Sequence, residues 1–278
     1  MKKPLAVKHT LRLAASCLVI FSASLTDCQT APSIAPSSLL PTAPKNSSAI
    51  TTGTEHFAFK TLSSSAWVSD RFTGQHARQF HETELHFGVH QTHKEGGLDV
   101  GLSERASIAA PVIQAKTELR VCSKYKINLS GEGRWWAGPK ISINWQGDEA
   151  AKQNGDDWYE NYIVEIASST PDELHEIIMG DYFKGEELAP LQLAGSTYRN
   201  YKIRFHSWWQ FWSVRQDYRA SGTLEIEPIL NLWIDNGLPK NRMFDGVKAN
   251  IETYGPIQGR GILTMAETQD PNEALSCE

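Results

Sequence analysis

The sequence predicts an all-β fold, a β-jelly roll or two-sheet antiparallel sandwich, with a single α-helix. Short runs rich in β-branched and aromatic residues follow one another from about residue 84 to 266, separated by Gly, Asp, Asn and Pro. Many strands at short spacing with one helix are typical of sandwiches and jelly rolls. The chain has 278 residues, of which 40% are apolar, so it is long enough for one large globular domain.

The strands are predicted from alternation of apolar and polar residues between turn signals. In chain order they cover residues 84–90, 97–103, 118–130, 140–146, 158–167, 198–216, 222–230, 247–254 and 260–266. The helix is predicted over residues 227–238, where Ile229, Leu232 and Trp233 recur at helical spacing before Asn236 and Gly237 end it. The segment "TPDELHEII" could add one further helical turn.

The first residues read as an export signal. Basic residues precede the apolar run 13–25, which is too short to span a bilayer and has the length of a signal-peptide core. We expect residues 1–28 to be this signal and 29–54 to be a flexible linker rich in Pro, Ser and Thr. The globular domain is then 55–268, followed by a tail at 269–278. "LTDC" leaves two alternatives open, plain cleavage or lipidation at Cys28, so the expected location is secreted, periplasmic or anchored to the outer membrane.

The net charge, the cysteines and the histidines indicate which partners, disulfides and metal sites to expect. The formal net charge is −5 and no long basic run occurs, which argues against nucleic acid and favours a neutral polymer as the partner. The protein is expected to be a monomer. Cys122 and Cys277 could form a disulfide, or Cys122 could be a buried thiol. The histidines at 86–93 have no identifiable partner ligands, so surface or strand positions are expected rather than a metal site, and no cofactor is predicted.

Alternation within the strands places rings, amides and carboxylates on shared faces, because successive side chains of a strand point to opposite sides. Strand 158–167 carries Glu160 and Tyr162 on one face, and strand 247–254 carries Glu252 and Tyr254 on one face. In "WWQFWSVRQDYRASGTLEI" the alternation puts one set of side chains on a polar aromatic face, namely Trp208, Gln210 and Trp212. Aromatic rings pack on the C–H faces of sugars while amides and carboxylates bond sugar hydroxyls, so these faces indicate carbohydrate. We expect Trp208, Gln210 and Trp212 to floor a sugar cleft near Glu160.

Four segments together resemble the family 11 glycoside hydrolases, which are endo-1,4-β-xylanases. They are "ENYIVE", "QFWSVRQDYRASGTL", a tryptophan-bearing helix ending in "NGL", and "ANIETYG". They match the family forms EYYIVE, QYWSVRxxxRxSGTV, a helix with AW and GL, and ATEGY, in the same order over about residues 128–266. The resemblance implies a jelly roll with a concave substrate cleft, hydrolysing β-1,4-linked polysaccharide such as xylan.

By this resemblance Glu160 is the nucleophile and Glu252 the general acid/base of a retaining reaction. Two carboxyl groups facing each other across the cleft would catalyse the reaction, with Glu160 ionised and Glu252 protonated near neutral pH. The resemblance also implies a set of substrate-binding residues near this pair: Tyr162, Gln210, Asn128, Trp135, Trp158 and Tyr254. No metal ligand is implied.

The chain departs from the family around the cleft. Thr253 stands where the family has glycine after the acid/base, and "LAPLQLAGS" at 188–196 is only loosely similar to the thumb hairpin, without its arginine. Xylan or another β-1,4-linked polysaccharide is therefore the expected substrate of a distant member. The alternative is a non-catalytic carbohydrate-binding or cell-envelope protein on the same fold. Two like carboxylates close together cost stability, so a binding module has no reason to keep both.

Overall fold

The computed structural model describes residues 62–81, 83–104, 110–111, 119–143, 159–205, 208–240, 243–268, 270 and 274–275. The predicted signal peptide, the linker and Cys28 lie outside the described residues. Neither described helix is long and apolar enough to cross a membrane.

The described residues form fifteen strands and two helices. The strands are β1 (Leu62–Val68), β2 (Gly74–His81), β3 (Glu84–Gln91), β4 (Gly97–Glu104), β5 (Ala110–Pro111), β6 (Arg120–Gly131), β7 (Arg134–Ile143), β8 (Tyr159–Val164), β9 (Ile166–Ala167), β10 (Glu186–Leu193), β11 (Ser196–Phe205), β12 (Trp208–Arg215), β13 (Ser221–Glu225), β14 (Met243–Tyr254) and β15 (Ile257–Thr268). The helices are α1 (Pro171–Met179) and α2 (Glu227–Asp235).

Two sheets carry these strands, and the predicted all-β sandwich class is confirmed. The larger sheet has the order β1-β4-β14-β7-β8-β12-β11-β10, with β5 beside β14 and β9 beside β7. The smaller sheet has the order β13-β6-β15-β3-β2. All described strand pairs are antiparallel except β8 with β12, which run parallel. That parallel pair lies in the middle of the larger sheet and brings two of the recognised motifs side by side.

Several elements differ from the sequence prediction, among them β7, β11, β12 and helix α1. The segment 198–216, predicted as one strand, forms the antiparallel partners β11 and β12. Strand β7 begins at Arg134, well before the predicted start at residue 140. "TPDELHEII", expected to add one helical turn, forms the nine-residue helix α1, so the expectation of a single α-helix is corrected to two among the described residues. Thr170 explains the last difference, because its side chain and that of Glu173 form a capping box around Pro171 at the first turn.

The segment "LAPLQLAGS" forms strand β10 and a tight turn into β11. Ala194 and Gly195 both have left-handed backbone conformations, with φ of 49° and 74°, as a two-residue turn requires. The β10–β11 register shifts between Leu188 and Leu191, where Pro190 has no backbone N–H to donate. The hairpin therefore ends directly after β10, without a long projecting loop.

The main core lies between the two sheets. Apolar residues of both sheets meet there, among them Leu85, Phe87, Val121, Leu263, Ile163, Phe211 and Ile251, all buried. Helix α2 closes this core with Trp233, whose indole Nε1 donates to Ser213 Oγ at 3.1 Å. The helix is the one that the sequence predicted from its periodicity. The side of the larger sheet that faces the smaller sheet therefore packs against this core.

A second apolar cluster lies on the opposite side of the larger sheet, here called the outer face. It comprises side chains of four neighbouring strands, namely Trp136, Tyr162, Val164, Tyr201, Ile203, Trp212 and Val214. Leu174 and Ile178 of α1 pack onto these side chains and are themselves buried. His175 Nδ1 also lies 3.1 Å from the hydroxyl of Tyr201. Helix α1 therefore covers part of the outer face.

The motif "SVRQDYRASGTL" has a structural role at the end of β12. Arg219 forms an ion pair with the buried carboxylate of Glu165, which also accepts a hydrogen bond of 2.5 Å from the Tyr198 hydroxyl. Arg215 donates to the same hydroxyl at 3.2 Å and to the backbone oxygen of Asp217 at 2.8 Å. These contacts satisfy a buried charge and connect β11 and β12 to the bend between β8 and β9. Separately, Cys122 forms a disulfide, whereas Cys277 lies outside the described residues.

Candidate active site

The parallel pairing of β8 and β12 brings the predicted nucleophile and its neighbours together. Glu160 is paired with Gln210, and Tyr162 with Trp212, so all four side chains share the outer face. This register could not be read from the sequence, since the two strands are 48 residues apart between Glu160 and Trp208. The alternation correctly predicted which residues of each strand share a face.

Glu160 is held by three hydrogen-bond donors. Its Oε2 accepts from Gln210 Nε2 at 2.8 Å, from Trp208 Nε1 at 3.1 Å and from the Tyr162 hydroxyl at 3.3 Å. Gln210 is oriented in turn by Trp212, whose Nε1 donates to Gln210 Oε1 at 3.1 Å. The Glu160 side chain remains 21% exposed. Donors aimed at one oxygen fix the carboxylate in place and leave its other oxygen available.

Glu252, unlike the partly exposed Glu160, is almost completely buried. It is 5% exposed, and Tyr254 donates its hydroxyl proton to Glu252 Oε1, while Oε2 has no hydrogen-bond partner among the described residues. Burial raises the pKa of Glu252 from 4.5 to about 7. Lys140 lowers this pKa, whereas the negative charges of Asp99 and Glu160 raise it further. The carboxyl group can therefore carry a proton close to neutral pH.

An ion pair that the sequence did not predict lies beside both glutamates. Lys140 Nζ is 2.7 Å from Asp99 Oδ2 and 3.8 Å from Glu160 Oε1, and it lies 4.6 Å from the centre of the Tyr162 ring. Burial opposes the charge of Lys140, yet the carboxylates of Asp99, Glu252 and Glu160 raise its pKa above the ordinary value. Lys140 is therefore a fixed cation of the site.

Strand pairing carries one row of side chains across the outer face. Trp67 is paired with Asp99, Asp99 with Glu252, and Glu252 with Trp136. Trp67 is 53% exposed, so its ring is open to a ligand. Sequence reasoning missed Trp67, Asp99 and Lys140. The signal for the last two was a charged residue between apolar ones in "GLDVGLS" and "GPKISI", but only the register shows that they meet.

Two predicted cleft residues are buried rather than open. Trp212 is 1% exposed, and Gln210 is also buried. Trp212 contacts Tyr162 and Trp136, with ring centroids 4.8 and 5.0 Å apart, and Phe183 packs edge-on against it at 6.0 Å. The expectation that Trp208, Gln210 and Trp212 together floor a cleft is corrected, because α1 and Phe183 cover this region. Of these three, only Trp208 is partly exposed.

Two further residues lie elsewhere than predicted. Asn128 is exposed on β6 of the smaller sheet, paired with Arg260, and is not brought to Glu252. Trp135 packs against the core between the sheets, whereas its neighbour Trp136 faces outward. The earlier start of β7 explains this difference, because alternation places consecutive residues on opposite faces. Trp158 lies outside the described residues. Tyr254, by contrast, bonds Glu252 and stacks on Trp136 at 5.3 Å.

Among the described residues, no set of three or more His, Cys, Asp and Glu side chains has an arrangement that could hold a metal ion. His86 lies 3.0 Å from Glu84 on β3, a contact within one strand face of the smaller sheet.

The fold is similar to those of solved xylanase structures. The family 11 xylanase from Neocallimastix patriciarum is 15% identical with a TM-score of 0.53, over 74% of this chain and 92% of that chain. ENZbleach xylanase of wild-type sequence is 17% identical with a TM-score of 0.53, over 77% and 82%. A triple mutant of it is 19% identical with a TM-score of 0.56, over 80% and 84%. No protein-family model and no curated protein matches the chain. At these identities the likeness shows the jelly-roll fold.

Proposed function

We propose that the protein is a retaining glycosidase that hydrolyses β-1,4-linked polysaccharide by an endo mode of action, with Glu160 as nucleophile and Glu252 as acid/base. The observation that carries the proposal is the contrast between the two carboxyl groups on one sheet face. Glu160 is partly exposed and held by three donors, while Glu252 is buried with a pKa raised to about 7. Carboxyl pairs with separated roles are what glycoside hydrolysis uses.

In the first step Glu160 attacks the anomeric carbon and forms a glycosyl ester. The bond to the leaving-group oxygen breaks, and that oxygen takes the proton from Glu252. The three donors hold Glu160 Oε2, so Oε1, which lies 3.8 Å from Lys140 Nζ, is the oxygen that attacks. The unpartnered Oε2 of Glu252 is the oxygen placed to carry the proton. Each glutamate thus has one anchored and one reactive oxygen.

In the second step Glu252 acts as a base. Once Glu160 is esterified its negative charge is lost, so one of the causes that raise the pKa of Glu252 disappears. Glu252 then takes a proton from water, the water oxygen attacks the anomeric carbon, and the Glu160 carboxylate leaves. Two inversions give net retention. The configuration of the first product is therefore diagnostic.

A neutral β-linked glycan fits the outer face beside this pair. Trp67 offers an exposed ring two strands from β14, and Trp208 is partly exposed next to Glu160. The formal net charge of −5 does not favour a polyanionic chain. Xylan is the first substrate to test, because the structurally similar proteins are xylanases. Mixed-linkage glucan and cellulose share the β-1,4 linkage and are the next two.

The test is release of reducing sugar from xylan, mixed-linkage glucan and cellulose by the wild type, Glu160→Gln and Glu252→Gln. We expect each variant to lose roughly 10²–10⁴-fold in rate on the substrate that the wild type cleaves. Proton NMR of the first product should show the β-anomer before mutarotation. Glu186→Gln is the matched control, since Glu186 is an exposed strand glutamate of the same sheet.

Three results would contradict the proposal in whole or in part. If both glutamine variants remain as active as the wild type, this pair does not carry the reaction. If the wild type binds one of these glycans without releasing reducing ends, the alternative of a carbohydrate-binding protein on the same fold is favoured. An α-anomeric first product would exclude the double-displacement mechanism while keeping the hydrolase.

We also propose that the chain is exported, on the basis of its basic and apolar N-terminal sequence. Fractionation of cells producing the full chain and a form lacking residues 1–28 tests this. The full chain should leave the cytoplasm and the shortened form should remain there. Labelling with a fatty acid, compared between the wild type and Cys28→Ala, separates an anchored protein from a released one. Retention of the full chain in the cytoplasm would exclude export.

A further inference from the structure

An ion pair lies beside the two glutamates of the proposed site. Strand β7 lies between β8 and β14, and its Lys140 extends from the outer face toward Asp99 on β4 and Glu160 on β8. Asp99 is the direct cross-strand partner of Glu252 on β14. Both members of the pair are largely buried, with side chains 16% and 14% exposed. Charges so placed act on each other with little screening by water.

We propose that the Lys140–Asp99 pair is a positioning element that gives the two glutamates opposite roles. The ammonium attracts and orients the Glu160 carboxylate for attack, while the Asp99 carboxylate directly beside Glu252 favours the proton-bearing form of that residue. The inference rests on the proposed glycosidase function. It assigns neither residue a covalent or proton-transfer step.

Among the described residues, charged or titratable groups face Glu252 from its own strand and from three others. Asp99 faces it from β4, Lys140 from β7, and Glu160 and Tyr162 from β8, while Tyr254 on its own strand donates to it. The influences on the pKa of Glu252 have opposite signs, because Lys140 lowers it and Asp99 raises it. Removing one member of the pair must therefore shift the pKa in one direction, and removing the other must shift it the opposite way.

The experiment compares Lys140→Met and Asp99→Asn with the wild type by two measurements. One is the alkaline limb of the pH profile of kcat/KM. The other is titration of Glu252 itself by carbon NMR of glutamate-labelled protein, assigned with Glu252→Gln. We expect Lys140→Met to move both upward and Asp99→Asn to move both downward, each by about one pH unit or more, the usual effect of a charge within 4–6 Å.

A double variant and a control variant complete the experiment. The double variant Lys140→Met with Asp99→Asn removes both charges, avoids leaving a buried charge unpaired, and should titrate between the two single variants. Lys248→Met is the matched control, because Lys248 lies on the same sheet face, is paired with Lys140 across β14 and β7, and contacts Ser65. In this variant Glu252 should titrate within about 0.3 pH unit of its value in the wild type. If Lys140→Met fails to fold, Asp99→Asn and the double variant still decide the sign.

The outcomes separate this inference from the proposed function. Opposite shifts in the single variants support the positioning role, whereas shifts in the same direction, or none with a folded protein, overturn it. The NMR titration gives this answer even if the wild type hydrolyses no glycan. In that case the proposed function fails alone. A wild type that is active, with the alkaline limb and the Glu252 titration both unchanged in the variants, means that the inference fails alone.

Discussion

The outer face of the larger sheet has two halves with opposite character. One half, the charged half, holds Asp99, Lys140, Glu160 and Glu252, with Trp67 exposed beside them. The other, the covered half, is apolar and lies beneath α1: Tyr201, Ile203, Trp212 and Val214. Both halves belong to one sheet, and the strands of both alternate their side chains between its two faces. The difference shows that a sheet face becomes a site or a core according to what packs on it.

The two halves depend on each other through Gln210. Its amide nitrogen bonds Glu160 in the charged half, and its amide oxygen accepts from the indole of Trp212 in the covered half. The covered half therefore supports the proposed nucleophile without touching a substrate. Burial under α1 makes this support rigid, which a catalytic carboxylate needs.

The largest expected effect is on stability, from Trp212→Ala in the covered half. Removing an indole that is 1% exposed and packed against Tyr162, Trp136 and Phe183 should cost about 3–5 kcal/mol of unfolding free energy. Urea unfolding measures it. Trp67→Ala, the same change at an exposed position of the same face, should alter stability by only about 0.5 kcal/mol. Equal losses in the two variants would abolish the distinction between the halves.

The second prediction concerns the charged half and its dependence on pH. Because the folded-state pKa of Glu252 is raised from 4.5 to about 7, its contribution to stability is complete below pH 4.5 and lost as pH rises through 7. Glu252→Gln does not titrate, so it should gain stability relative to the wild type by about 1.4 kcal/mol per pH unit across that window. Unfolding at pH 4, 6 and 8 measures the difference. A constant difference would show that Glu252 is not buried as a neutral acid.

The third prediction tests the connection between the halves with Gln210→Leu. The change removes a hydrogen bond to the Glu160 carboxylate, a contact of the kind that contributes about 1.5–3 kcal/mol, so kcat/KM should fall roughly 10–100-fold. Gln192→Leu, at an exposed glutamine of β10 that bonds Thr197, is the control and should keep its activity. Unchanged activity in Gln210→Leu would mean that Glu160 is oriented without it.

Sequence alone could predict the face of each strand, but not what covers it. Alternation correctly grouped Glu160 with Tyr162 and Glu252 with Tyr254, because that pattern is local. It placed Trp212 in an open cleft, because nothing local shows that α1, which follows β8 and β9 in the chain, folds back over β12. Asp99 and Lys140 were missed for a similar reason: their contact depends on the register of three strands. Local periodicity does not specify register between distant strands.

The smallest expected effect comes from the start of α1, through Thr170→Ala. Thr170 Oγ1 accepts from the backbone N–H of Glu173 at 3.3 Å, and loss of such a cap typically costs about 1 kcal/mol. Thr170→Ser retains the hydroxyl and should restore most of the loss.

Hydrogen exchange adds a local readout, since amides of α1 should exchange faster in Thr170→Ala while those of β14 remain protected. If α1 opens in this way, Trp212 becomes more accessible to acrylamide quenching. Equal exchange in α1 across the three proteins would mean that packing of Leu174 and Ile178, and not the cap, holds the helix on the sheet.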